Sequence, residues 1–319
     1  MNPLYLTEGD VVETMTVRDA LTLVEEAARA LGEGEAQNRP RQRAYTPSSV
    51  INVLVAAYGG RMGHKTYAVA PKARRARFVL SLFADDGEFL ALIEADALGQ
   101  IRTGAASGVA TRFLARDDAR TLGIIGTGWQ ARSQLEAVVH VRHIERIRAY
   151  GRNRERLSDF CEEMTAKVGI TVEPAESARA AVEDADVVCT MTSANVPVLE
   201  GAWLKRGCHV NAAGSNRGNA QEIDAEAVRR AQVVAVEDLV QAKVEAGDLI
   251  AAADAGAFDW NGAVLLSDIV SGMAPGRTAD DQITLFDSLG IGLWDIAAAS
   301  FVFDACVTQG RGTRLPFPS

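Results

Sequence analysis

Leu122-Gly-Ile-Ile-Gly-Thr-Gly-Trp-Gln-Ala-Arg-Ser-Gln134 is the run around which the rest of the chain is arranged. A short apolar run ends at Gly126 and passes straight into helical spacing. In that context Gly126, Gly128 and Ala131 read as the Gly-x-Gly-x-x-Ala signature of a dinucleotide-binding turn. Gly126 makes the tight turn, Gly128 lets the backbone approach a pyrophosphate, and Ala131 is small enough for close helix-strand packing. Phosphates then meet the free N–H groups at the start of the helix. Alone the motif fits an ordinary strand-turn-helix equally well, so its flanks decide the matter.

Downstream, residues 144–150 read as a second strand and 153–167 as a helix. Residues 170–172 and 186–190 supply the third and fourth strands, with a helix over 175–183 between them. A fifth strand, 208–216, ends in polar and glycine residues, where an open parallel sheet presents ligand-binding groups, and 231–236 is the next. Repeated strand-helix units predict an α/β fold with a Rossmann-type doubly wound parallel sheet. After the second strand an Asp or Glu usually holds the adenosine ribose, but here the run is Ala149-Tyr150-Gly151-Arg152-Asn153-Arg154. Arg152 and Arg154 can pair with a 2'-phosphate that an acid would repel, so the local chemistry favours NADP(H), with NAD(H) as the alternative. Thr190 and Thr192 follow the fourth strand, where hydroxyls serve either a cofactor or a turn. The further cofactor candidates are Thr103, Thr127, Trp129, Gln130, Asn153, Val236 and Ser288.

Upstream, Thr16 and Asp19 cap a helix whose apolar positions run from Val17 to Leu31. Residues 37–49 are mostly polar and 50–58 read as a strand. Glycines at 59, 60 and 63 precede another strand containing His64 and Lys65, and a hairpin joins 78–83 to 89–93 through Asp85-Asp86-Gly87-Glu88. Lys72, Arg74 and Arg75 read as a solvated loop. Residues 96–114 form a helix rich in small residues around Arg102, whose planar fork suits a carboxylate. Residues 265–272 read as a helix and 282–286 as a strand. The apolar helix over 294–308 must pack against something, which makes a discontinuous first domain plausible: 1–115 with 292–319, around a nucleotide domain at 116–291.

Composition narrows the function classes. The 319 residues are 48% hydrophobic and 24% charged, a globular mix, and a net charge of -9 argues against nonspecific nucleic-acid binding. Four scattered cysteines have no metal spacing and read as buried thiols. No metal site is expected. No stretch is apolar for long enough to span a bilayer, so a cytoplasmic protein without membrane partners is the expectation.

Several motifs together resemble the ornithine cyclodeaminase and mu-crystallin family. They are Lys65 after a Gly-rich turn, Leu90-Ala-Leu-Ile93 with Ile101-Arg-Thr-Gly-Ala-Ala-Ser107, the turn at Gly126–Ala131, Asn211-Ala-Ala-Gly-Ser-Asn216 with Glu222-Ile223-Asp224, and Ile283-Thr-Leu-Phe-Asp-Ser-Leu-Gly290. The resemblance implies a Rossmann domain plus an α+β substrate-binding and dimerisation domain, a homodimer, and chemistry at the carbon-nitrogen bond of an amino or imino acid. It places Arg43, Lys65 and Arg102 at substrate-pocket positions, with Lys65 catalytic. It also places Asn216, as a substrate-binding and catalytic residue, where cyclodeaminases carry a titrating aspartate. Asparagine orients by hydrogen bonding but does not titrate. Residues 50–56 also lack the acid that ornithine-specific relatives use near the distal amine. Reduction of a cyclic ketimine or a 2-oxo-acid-derived imine is therefore favoured, and it is reversible as amino-acid dehydrogenation. Ornithine cyclodeamination with retained NAD, and nonenzymatic NADPH or ligand binding of the mu-crystallin kind, remain the alternatives.

Overall fold

The computed structural model describes residues 2–70 and 75–316, so Lys72, Arg74 and the Arg75 side chain lie outside the described residues. The chain forms two compact units. One comprises Met1–Arg102 and Ile291–Ser319, and the other comprises Thr103–Gly290.

The first unit opens with β1 (Leu4–Leu6), α1 (Glu8–Thr14) and α2 (Val17–Gly32). Both helices start on capping boxes, Thr7 with Asp10 and Thr16 with Asp19, each satisfying backbone donors that a helix start leaves bare. There follow β2 (Gln37–Asn38), β3 (Gln42–Tyr45), β4 (Val50–Tyr58), β5 (Arg61–Ala70), β6 (Arg75–Ala84), β7 (Phe89–Glu94) and α3 (Asp96–Leu114), whose residues from Thr103 on belong to the second unit. Gly87, at φ 89°, closes the β6–β7 hairpin in the left-handed region that an L side chain avoids.

The second unit contains β8 (Thr121–Ile125), α4 (Trp129–Val141), β9 (Arg146–Tyr150), α5 (Arg154–Val168), β10 (Val172–Pro174), α6 (Ala178–Val182), β11 (Val187–Thr190) and β12 (His209–Ala212). It continues through α7 (Ala225–Arg230), β13 (Ala231–Val236), α8 (Leu239–Glu245), α9 (Gly247–Asp254), β14 (Ala263–Leu265), α10 (Leu266–Ser271) and β15 (Ile283–Asp287). Then α11 (Gly292–Gln309) and β16 (Thr313–Arg314) return to the first unit.

The first unit's sheet has the order β16-β1-β7-β6-β5-β4-β2, with β3 also on β4. It is antiparallel except for the parallel pair β1–β7. One face buries Leu54, Ala56, Leu80, Leu82, Ala91 and Ile93, and α11 packs on β4, β5, β6 and α2. The other face leaves Ile51, Val55, Met62 and Val79 exposed. The strands β2 and β3 carry no apolar alternation of their own and are strands because β4 pairs with them.

The second unit's sheet is wholly parallel, in the order β10-β9-β8-β11-β12-β15-β13-β14. Apolar clusters cover both faces: Val187 and Cys189 point to one with α4 and α5, and Val188 to the other with α6, α7 and α9. This is the doubly wound Rossmann arrangement, with β8 and β11 flanking the point where strand order reverses. Gly123 and Gly104 allow close packing, since a Cβ there would lie 2.5 Å from the Ala181 carbonyl oxygen and 2.4 Å from the Ser133 backbone. The four cysteines are free and buried, and burial pushes the Cys189 and Cys208 thiols up to about 12. Among the described residues no helix is long and apolar enough to cross a membrane.

Candidate functional site

Lys65 lies in the middle of β5, opposite Leu54 of β4 and Leu80 of β6, so its side chain shares their buried face. Gly63 lets α11 come close, as a Cβ there would lie 3.1 Å from Ile296, and Gly292 lies against the Leu54 backbone. The close approach carries Asp295 to the lysine. Asp295 Oδ1 accepts from Lys65 Nζ at 2.7 Å and from Arg102 Nε of α3 at 2.8 Å. All three residues are buried, Asp295 completely. Burial, then the Arg102 charge, lowers the Lys65 pKa from its usual value to about 7; Asp295 opposes the shift and Arg41 adds to it. Two cations on one carboxylate, with the buried Arg41 acting on Lys65, leave an excess of buried positive charge, an environment that favours an anionic ligand. Arg102 Nη1 is buried and has no hydrogen-bond partner among the described residues.

Arg43 falls on the same sheet face, since Arg43 pairs with Asn52 and Asn52 with Tyr67, one pleat repeat from the Leu54–Lys65 pair. Its Nε donates to the buried Asn52 Oδ1 at 2.9 Å. His64 points the other way and bonds Thr66 Oγ1 through Nδ1 at 3.0 Å, a local partner and not a member of the cluster. Asp295 and Arg41 are cluster members absent from the sequence reading. The signal for Asp295 was available: one acid inside Gly-Leu-Trp-Asp-Ile-Ala-Ala-Ala must find a cation if the helix is buried.

In the second unit a cleft of about 1150 Å³ opens at the switch point, lined by the residues after β8, β9 and β11. Gly126 sits at φ 106°, and a Cβ would strike the Met191 carbonyl oxygen at 2.2 Å. Gly128 begins α4 with open space where a Cβ would stand, and Ala131 is fully buried against the sheet. Those features fit a dinucleotide pyrophosphate. Gly126, Thr127, Gly128, Arg152, Asn153 and Thr192 line this cleft. Trp129 is half exposed at the start of α4 and Gln130 follows it. The Thr103 carbonyl accepts from Gln134 Nε2 at 3.3 Å. Val236 ends β13, and Ser288, after β15, donates to Glu237 at 2.9 Å. Thr190 donates its hydroxyl to Glu222 at 2.9 Å, a structural tie and not a contact into the cleft. Asn216 lies in the loop after β12, in the second unit, whereas Arg43, Lys65 and Arg102 belong to the first.

A group of acids is buried in the second unit, a burial the sequence did not indicate. Glu222, Glu237, Asp248 and Asp287 are each 5% exposed or less. Glu222 ties Thr190 to the Gly214 N–H at 2.7 Å, joining the loops after β11 and β12. Asp248 Oδ1 accepts from the Glu222 and Ile223 N–H groups, and Glu237 accepts from Leu289 and Gly290. Burial pushes Asp248 up to about 7, and burial plus the charges of Asp248, Glu237 and Glu222 pushes Asp287 well above the usual carboxylate range.

The sequence model of the ornithine cyclodeaminase/mu-crystallin family matches residues 1–310. A Delta(1)-pyrroline-2-carboxylate reductase of Bacillus cereus is 41% identical over 232 residues, covering 72% of this chain and 71% of that protein. The structure of Thermococcus litoralis Delta(1)-pyrroline-2-carboxylate reductase with NADH and L-proline superposes with a TM-score of 0.93 at 33% identity, covering 98% of this chain and 100% of that one. An archaeal alanine dehydrogenase dimer with bound NAD gives a TM-score of 0.94 at 29% identity over 100% of both chains. These bound cofactors overturn the expectation of NADP(H): the solved relatives hold NADH and NAD. Of the two arginines, Arg152 lines the cleft whereas Arg154 is engaged by backbone carbonyls. Arg154 directs its terminal nitrogens at the Ala175 and Glu176 carbonyls, at 3.3 and 3.2 Å, and Asn153 caps α5.

Proposed function

Because the chain belongs to the ornithine cyclodeaminase/mu-crystallin family, we propose that it reduces a small 2-imino acid with NADH to give an amino acid. The substrate is a cyclic ketimine or the imine of a 2-oxo acid, and the reverse reaction is amino-acid dehydrogenation. The observation that carries this reading is the buried Lys65–Asp295–Arg102 cluster, which offers a carboxylate socket beside an ammonium able to release its proton near neutral pH. Arg102, with Arg43 on the same face, takes the substrate carboxylate, and Lys65 gives a proton to the imine nitrogen. Bound at the cleft, the reduced dinucleotide supplies the hydride to the imine carbon. Gly126 and Gly128 admit its phosphates. Asn216, which cannot titrate, contributes a hydrogen bond where a cyclodeaminase would use a proton.

Ornithine is disfavoured by that asparagine and by β4, where the buried polar residue facing Arg43 is Asn52 and not an acid. The unit holding Lys65 serves the substrate and the dimer, and the unit holding the glycine turn serves the cofactor. The homodimer forms through the open sheet face at Ile51, Val55, Met62 and Val79, in keeping with the dimeric archaeal relative. Four free, buried cysteines accord with a cytoplasmic setting.

A substrate panel tests the reading: cyclic imines, 2-oxo acids with ammonia or methylamine, and ornithine, each with NADH. Imine-dependent NADH oxidation is expected. Ammonia release from ornithine without any imine turnover would reject it.

A further inference from the structure

The shared anchor at Asp295 suggests a role beyond neutralising charge. We propose that Asp295 is a positioning residue for imine reduction, holding the Lys65 proton and the Arg102 fork in fixed register through one oxygen atom. The proposal rests on the imine-reductase reading above.

Three observations support it. Both donors meet the same atom, Oδ1, at 2.7 and 2.8 Å, so neither can shift without disturbing the other. Arg102 makes this bond through Nε, and Nη1 has no partner among the described residues, which leaves the end of the fork for a carboxylate. Leu293, Trp294, Asp295 and Ile296 are all fully buried, so helix packing fixes the carboxylate and it cannot follow a displaced lysine. A pair kept for stability alone would be a poor use of three buried charges, because an apolar trio of similar volume does as well.

The charged groups facing Lys65 come from three elements: Asp295 on α11, Arg102 on α3, and Arg41 just before β3. The neighbouring strands face it with Leu54 and Leu80. Asp295 raises the Lys65 pKa against burial and the two arginines. During turnover the imine nitrogen takes the Lys65 proton together with the π-electron pair of the C=N bond, while the carbon gains hydride. Lys65 is left neutral and recovers its proton from solvent. Without Asp295 the proton is held too weakly and is lost at lower pH.

The test compares wild type with Asp295→Asn and Asp295→Glu. Lys65 is followed by NMR of protein labelled with 15N at lysine Nζ, which has only Lys65, Lys72, Lys167, Lys205 and Lys243 to distinguish. Asp295→Asn should move the Lys65 titration, and the alkaline limb of kcat/KM, down by about 1–3 pH units. Asp295→Glu should keep the titration near its wild-type midpoint but lower kcat, because the charge stays and the register shifts. An unmoved titration in Asp295→Asn overturns the proposal. If that variant does not fold, wild-type kcat in Asp295→Glu overturns it. The NMR arm needs no substrate. A shifted titration in a protein that reduces no imine would sink the function and leave the Asp295–Lys65 coupling intact, whereas normal turnover with an unshifted titration would sink the Asp295 role alone.

Discussion

An ammonium walled in by leucines gives up its proton more readily than one in water, and Lys65 is brought to about 7 in this way. Reduction needs the protonated form. Activity with a given imine, corrected for ionisation of the imine itself, should therefore fall as pH rises through about 7, read from initial rates of NADH oxidation. Lys65→Met should lower kcat by about 10²–10⁴-fold while leaving NADH affinity, measured by fluorescence titration, unchanged. Arg102→Lys keeps the charge but loses the planar fork, so KM for the imino acid should rise about tenfold or more. Lys65, Arg102 and Arg43 were marked in the sequence by the family resemblance, Lys65 also by its place in an apolar strand and Arg102 by the compact helix face around it. Asp295 was not, since an apolar helix reads as packing until one knows what it covers.

At the scale of elements, the glycine turn was the most legible feature because its constraint is local. Gly126 combines a φ of 106° with a carbonyl oxygen 2.2 Å from where a Cβ would stand. Gly126→Ala should destabilise the protein by about 2–4 kcal/mol in urea melts and weaken NADH binding at least tenfold. Most of the parallel strands announced themselves as apolar runs, whereas the antiparallel β2 and β3 owe their state to pairing with β4 and left no trace in the pattern. The preference for NADP(H) failed at this scale too, since the sequence showed arginines after β9 but not the carbonyls that Arg154 engages. The open face of the first unit's sheet bears four exposed apolar side chains on paired strands. A charge there, as in Val55→Asp, should convert a dimer into monomers in size-exclusion chromatography with light scattering. A dimer that survives the substitution would move the interface elsewhere.

For the whole molecule, pH acts on stability through the acids under the second sheet. Asp248 has its folded pKa raised from the usual value to about 7, so the folded state binds the proton more tightly than the unfolded chain. The stability this contributes is complete below the unfolded pKa near 3.8 and is lost as pH rises towards about 7. Asp248→Asn keeps an acceptor for the Glu222 and Ile223 N–H groups without the charge. Its Tm should gain on that of wild type as pH goes from about 5 to about 8, and parallel curves would contradict this.

Asp295 also sets a timetable. It follows Lys65 by 230 residues, and the whole of Thr103–Gly290 leaves the ribosome between them. A nascent chain that has just passed Gly290 has all the residues for the cofactor unit but no counter-ion for Lys65 and Arg102. The counter-ion for Lys65 and Arg102 therefore comes late, with α11, after every residue of the cofactor unit has been made.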